Sequence, residues 1–254
     1  MITSKQNARI KQVCALQTQA RTRRKSGLIV LEGLRLVRDA VRAGYTPEYL
    51  LYTPQQVEIE SFVDEQPGTA LAVDEVVMRH MSDTRQPQGL IGVFPLPSPT
   101  LPENPKRVLI LDGIGDPGNL GTMLRTAAAA GVQAVLLSPD CVDAFNPKAL
   151  RAGMGAHFRV VLADRGWPEI RAYCGGLRGY LADSGGGLRY DEVDWSQPWA
   201  LIIGSEAHGA GREAQQMAVN RVYIPMAAGT ESINAAAAAA VLLFEAAKHP
   251  CTAC

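Results

Sequence analysis

Apolar and polar positions along the chain alternate between short apolar runs and longer amphipathic stretches. In residues 4–20, Ile10, Val13 and Leu16 recur at helical spacing, and Ser4 stands where it would cap that helix. Residues 28–31 form a short apolar strand. Glu32-Gly33 begins a helix with Leu34, Val37, Ala40 and Val41 on one face, and Gly44 ends it. A strand (49–52), a weak helix (54–63), a strand (70–73), a helix (74–81) and a strand (89–93) follow, which predicts a small α/β sandwich.

A second series opens with a buried-type strand at 107–111. After it come a helix (about 119–130), a strand (133–137), a helix (147–151), a strand (158–162), a helix (167–174) and a strand (178–182). Residues 183–196, with Gly185-Gly186-Gly187, read as a loop. A strand (199–203), a helix (211–218), a strand (222–224) and an alanine-rich helix from about Glu231 close the chain. Alternating β and α elements with apolar strands predict a parallel sheet covered on both faces. Pro95, Pro97, Pro99, Pro102 and Pro105 fall between the two series, and proline stiffens a linker. The expected organisation is a domain at 1–95, a linker at 96–106 and a domain at 107–254.

Composition sharpens this in three places. Hydrophobic residues make up 47% of 254, enough for a core, and the formal net charge is zero. The charge is not evenly spread. Residues 1–31 hold Lys5, Arg9, Lys11, Arg21, Arg23, Arg24 and Lys25 and no acidic residue. Such a block points to a local anionic partner, a solvated helix face being the alternative, and 21–25 reads as a basic loop. The five cysteines are odd in number and scattered, which suits free thiols in a reducing compartment. Cys251 and Cys254 form a Cys-x-x-Cys without a second pair, so neither zinc nor redox chemistry is expected there. The polar start and the shortness of the longest apolar run, 235–244, predict a soluble cytoplasmic protein without metal or membrane contact.

Three strand-turn-helix stretches carry the candidate chemistry. Gly113 to Gly118 is formally GxGxxG, with Asp140 some way on, as in a dinucleotide site. Against that, Asp116 would set a carboxylate beside the pyrophosphate and Pro117 would remove an N–H donor. The same stretch puts Asn119 at a helix start and Arg125 about two turns in. In the second stretch Gly204 ends a strand and Glu206 enters the turn before His208 and Gly209. In the third, Ser232 and Asn234 flank Ile233 at a helix start, and capping accounts for one of them at most.

Together these stretches resemble the three motifs of the SpoU, or TrmH-like, RNA ribose 2′-O-methyltransferases of the SPOUT superfamily. Asn119, Gly121 and Arg125 match the first motif, and Gly204, Glu206 and Gly209 the second. Ile224-Pro225-Met226, Gly229, Ser232, Ile233 and Asn234 match the third. Ile2-Thr3-Ser4, Asn7, Ile10-Lys11, the basic stretch and Glu32-Gly33 are similar to the family's L30e-like substrate-binding domain. Ile233 stands where the family often has Leu, and Ala235-Ala236 where it often has Val-Ser.

The resemblance implies a C-terminal α/β trefoil-knot domain with a parallel sheet, preceded by a small L30e-like α/β domain. It implies S-adenosylmethionine held by backbone near Gly204, Ile224 and Ile233, with Leu137 and Met226 as apolar walls. Arg125 would act in catalysis, Asn119 and Glu206 would position it and the ribose, and Ser232 and Asn234 would shape the turn. Arg9, Lys11, Arg21, Arg23, Arg24 and Lys25 would grip RNA, ribosomal RNA first and tRNA as the alternative. A homodimer through the C-terminal domain is also implied. A non-catalytic RNA-binding protein and a nicotinamide-dependent oxidoreductase are the rival readings.

Overall fold

The computed structural model describes residues 1–66 and 68–249, and the terminal Cys251 and Cys254 lie outside the described residues. Contacts divide the chain into two compact units. One is Met1–Pro97 with Phe145–Arg151, and the other is the remainder.

The first unit runs α1 (Ala8–Thr18), α2 (Ala20–Ser26), β1 (Leu28–Glu32), α3 (Leu34–Arg42), β2 (Tyr49–Tyr52), α4 (Val57–Asp64), β3 (Thr69–Ala72), α5 (Glu75–Met81) and β4 (Leu90–Pro95). Its sheet has the order β1-β4-β2-β3. β4 is antiparallel to β1 and β2, and β3 is parallel to β2. Ile10, Val13 and Leu16 of α1 are fully buried and pack with Val30, Leu51, Ile91 and Val93 of the sheet and Val77 and Met81 of α5. The cap of α1 is Asn7, not Ser4. The backbone is still non-helical at Asn7, whose side chain accepts from the Arg9 N–H at 2.9 Å.

The expected basic loop at 21–25 is the helix α2. Alanine, arginine and lysine favour helix there, and Gly27 closes it in the left-handed conformation (φ 64°). Arg23 faces inward and is 3% exposed. Its guanidinium donates to the carbonyls of Leu16 and Gln17, groups that the end of α1 leaves without helical partners. Arg23 therefore closes α1 and is withdrawn as an RNA contact.

The second unit contains β5 (Arg107–Asp112), α6 (Pro117–Ala129), β6 (Ala134–Leu137), part of α7 (Pro147–Gly153), a 3-10 turn (Ala156–Phe158), β7 (Val161–Asp164), α8 (Trp167–Tyr173), β8 (Arg178–Ala182), β9 (Leu188–Arg189), β10 (Trp199–Gly204), α9 (Arg212–Met217), β11 (Asn220–Tyr223) and α10 (Ala235–Ala247). All its strands are parallel, in the order β7-β6-β5-β10-β8-β11-β9. β8 thus lies between β10 and β11, the strands that follow it, and the chain crosses β8 to pass from one to the other. Val108, Ile110, Leu136, Ala200 and Ile202 are fully buried and form the centre of one face.

Four local expectations are corrected. The strand expected at 158–162 begins at Val161, because residues 156–158 turn to bury His157, whose Nε2 lies 2.8 Å from the Ala144 carbonyl. Burial lowers the pKa of that imidazole to about 4, so it is neutral near pH 7. The loop at 183–196 contains β9, whose two exposed residues give no apolar pattern to read. The last helix starts at Ala235 rather than Glu231. Finally, within the linker expected at 96–106, residues from Ser98 onward belong to this unit. Leu101 packs on the core of this unit, and the Tyr173 hydroxyl donates to the Pro102 carbonyl at 2.9 Å. Among the described residues, no helix is long and apolar enough to cross a membrane, and no cluster of three or more His, Cys, Asp or Glu could hold a metal ion.

Candidate active site

Each of the three singled-out stretches is shaped by a local constraint. At the first, Asp116 caps α6 by accepting from the Asn119 N–H at 2.8 Å, and Pro117 occupies the first helical position. This counts against the dinucleotide reading, since one amide a pyrophosphate would use already serves a carboxylate and the proline offers none. The cap sets Asn119 in the first turn with its side chain outward, while Leu120, Met123, Leu124 and Ala127 go into the core.

At the second, the chain after β10 doubles back on itself. Ser205 and Gly209 exchange backbone hydrogen bonds of 3.0 and 2.9 Å. A Cβ on Gly204 would sit 2.4 Å from the Ala210 nitrogen, so only glycine lets the loop close this tightly. Glu206 rides on that closed loop. At the third, the exposed loop after β11 ends at Asn234, whose Oδ1 accepts from the N–H groups of Ala236 (2.9 Å) and Ala237 (3.2 Å). Asn234 alone caps α10, which leaves Ser232 free of that duty.

The three stretches meet at one side chain. Asn119 Nδ2 donates to Glu206 Oε1, and Asn119 Oδ1 accepts from Asn234 Nδ2 at 3.2 Å. Beside this chain of contacts lies a cavity of about 630 Å³, within the size range of small-molecule sites. Gly204, Glu206, Ile224, Met226, Ser232, Ile233 and Asn234 all line it. Its apolar wall is completed by Leu181, Ile203 and Leu242, and its polar groups include Ser205 and Gln215.

Two expected residues are elsewhere. Leu137 is 1% exposed at the end of β6, and β5 separates that strand from β10, so it forms no wall of the cavity. Arg125 does not line the cavity either. It is exposed on α6, in line with Thr122 and Ala129, and forms no hydrogen bond or ion pair among the described residues. Conversely, Leu181, Ala182, Asp183 and Ser184 line the cavity and were not singled out from sequence. Their signal is the same as that of the other stretches: an apolar strand running into a small, polar, glycine-rich turn.

Of the basic residues in the first unit, Lys11, Arg21, Arg24 and Lys25 are exposed, and Arg9 lies over the Tyr49 ring at 5.1 Å. The Tyr49 hydroxyl donates to Gln12 at 2.8 Å, and burial raises its pKa to about 12, with Arg9 opposing the shift.

Comparison with known proteins gives a consistent result. Residues 106–244 match the SpoU rRNA Methylase family, and residues 7–92 match the MRM3-like substrate binding domain. A mouse protein named rRNA methyltransferase 3, mitochondrial, is 36% identical over 88% of this chain and 68% of its own length. The 23S rRNA (guanosine(2553)-2′-O)-methyltransferase RlmP of Bacillus subtilis is 32% identical over 96% of this chain and 97% of its own. The crystal structure of the SpoU methyltransferase AviRb from Streptomyces viridochromogenes, in complex with AdoMet, superposes with a TM-score of 0.87. It is 25% identical and covers 96% of this chain and 98% of that one.

Proposed function

The chain belongs to the SpoU rRNA Methylase family, and from that premise we propose that it methylates a ribose 2′-hydroxyl of ribosomal RNA using S-adenosylmethionine. The observation that carries this reading is Asn119 bonded to both Glu206 and Asn234, which ties the first stretch to the two that line the cavity. The lining fits the cofactor in size and kind. Leu181, Ile203, Ile224 and Met226 offer apolar surface for a flat base, and the backbone of Gly204 and of the 224–234 loop offers hydrogen bonds. When bound, the cofactor supplies an electrophilic methyl group on a sulfonium.

The remaining work falls to the chain's own residues. A ribose hydroxyl is a weak nucleophile and develops negative charge as it attacks. A guanidinium is a poor base, so the role left to Arg125 is that of a cation that holds an RNA phosphate and stabilises the developing charge. Asn119 and Glu206 hold the edge of the site, and Ser232 lies free to meet the ribose. The exposed Lys11, Arg21, Arg24 and Lys25 bind the RNA backbone, with Arg9 beside them.

The position of Arg125 outside its own chain's cavity fits a site completed by a second copy. α6 packs along α10. Their outer faces carry Thr122, Arg125 and Ala129 on one helix and Ala237, Val241 and Phe244 on the other, with Phe244 51% exposed. The homodimer forms through this face, and Arg125 of each chain serves the cavity of its partner. Mixing Arg125→Ala chains with Glu206→Ala chains tests this. If Arg125 acts across the interface, each mixed dimer holds one intact site, and random pairing restores about a quarter of wild-type methyl transfer. If it acts within its own chain, every site is damaged and no activity returns. Absence of methyl transfer by the wild-type protein to ribosomal RNA overturns the functional reading itself.

A further inference from the structure

Asp112, the last residue of β5, is a carboxylate 7% exposed, and no cation pairs with it among the described residues. A buried charge of this kind needs donors, and here they come from separate segments. Oδ2 accepts from the Gly211 N–H at 2.7 Å, and Oδ1 accepts from Ser138 Oγ at 2.8 Å. Ser138, itself 4% exposed just past β6, accepts in turn from the Gly113 N–H at 3.2 Å. Asp112 is also the residue opposite Gly204 in the β5–β10 pairing. Both ends of the 205–210 loop are therefore fixed on one residue: Gly204 by strand register and Gly211 by the carboxylate. That loop carries Glu206, and Ser205, His208, Gly209 and Ala210 of it line the cavity.

We propose that Asp112 is a positioning residue for methyl transfer, holding the 205–210 loop at the height that brings Glu206 to Asn119 and shapes one wall of the cofactor cavity. The proposal rests on the methyltransferase reading for its kinetic consequence but not for its structural one. Without the carboxylate, Gly211 loses its acceptor, and the loop keeps its register at Gly204, the Gln215 contact to the Ala210 carbonyl and the Asn119–Glu206 bond, but not the anchor at its far end. The need is for an acceptor towards Gly211 and a hydrogen-bonding partner towards Ser138, not for charge as such. An asparagine can supply its oxygen to Gly211 and donate its amide to Ser138 Oγ. The serine can then turn its own proton to the Pro139 carbonyl, already 3.0 Å away.

The test uses full-length Asp112→Ala, Asp112→Asn, Ser138→Ala and the Asp112→Asn/Ser138→Ala double variant. Amide hydrogen exchange of residues 205–211 in the ligand-free protein is read alongside S-adenosylmethionine titration and kcat and KM. The alanine variant should lose protection in 205–211 while the core strands keep theirs. Its cofactor affinity should fall about tenfold, the size expected for one lost charged hydrogen bond. Asparagine should restore both, and the double variant should lose them again, because the buried amide nitrogen then has no acceptor and nothing holds the side chain with its oxygen towards Gly211. Normal protection and affinity in the alanine variant overturn the proposal. So does loss of protection spread evenly over the whole unit, or an asparagine variant as impaired as alanine. A wild-type protein that shows protected 205–211 amides but no cofactor binding refutes the methyltransferase reading and leaves the pinning of the loop standing.

Discussion

Arg23 in α2 and Arg125 in α6 look alike in sequence, each a cation on a helix, and the structure treats them in opposite ways. Arg23 is buried and spends its guanidinium on the carbonyls of Leu16 and Gln17. Arg125 is exposed and bonds to nothing among the described residues. A basic residue thus tells little about its partner until its donors are accounted for. Inside a protein an arginine must have acceptors, and the end of a preceding helix supplies them. On an apolar helix whose neighbours already face the core, an arginine without acceptors is available to something outside the chain.

The largest effect should come from Arg125. Arg125→Ala is expected to lower kcat by about 10²–10³-fold, the usual loss when one group that stabilises developing charge is removed. Thermal stability and S-adenosylmethionine affinity should stay at wild-type level, since an exposed side chain without partners contributes within about 0.5 kcal/mol. Arg125→Lys should keep part of the activity. If lysine is as inactive as alanine, the role requires the two-pronged geometry of a guanidinium. If Arg125→Ala unfolds the protein, the contrast with Arg23 fails.

Arg23 should show the reverse profile. Arg23→Ala leaves two carbonyls at the end of α1 without their donor and opens space under the helix. Hydrogen bonds to charged groups contribute about 1.5–3 kcal/mol, so urea unfolding should show a loss of about 2–3 kcal/mol. The salt dependence of RNA binding by the folded protein should not change. An undiminished stability together with a shallower salt slope would return Arg23 to the RNA-binding surface.

This pair also shows how far sequence reaches. The central strands are legible because strands buried on both faces read as unbroken apolar runs: β8 of the parallel sheet and β2 of the mixed one match expectation at both ends, and β5 and β10 differ by one residue. What was not legible depends on neighbours in space. The family resemblance implies Leu137 as a wall of the cavity. The strand order puts β10 and β8, not β6, beside the site, and no spacing in the sequence encodes that order. The Leu181–Ser184 side was missed for the same reason. Asn119, Glu206 and Asn234 were singled out because each sits at a strand-turn-helix junction. Their mutual bonding, and the absence of Arg125 from the cavity, depend on how distant segments meet in space, which no local pattern encodes.

The smallest predicted effect tests the surface that remains once Arg23 is set aside. Arg21 and Lys25 lie in the same helix as Arg23 but are exposed. Replacing both with glutamine removes two charges and leaves the α1 end intact, so stability should stay within about 0.5 kcal/mol of wild type. If both touch the RNA backbone, the slope of log K against log salt should become shallower by about 0.7–0.9 per charge removed. The loss of affinity should then be larger at low salt than near physiological salt, where each released counterion gains less entropy. An unchanged slope would move the RNA off α2 altogether. The buried and the exposed arginines of this helix would then be equally irrelevant to binding, and the basic block would be a solvated helix face.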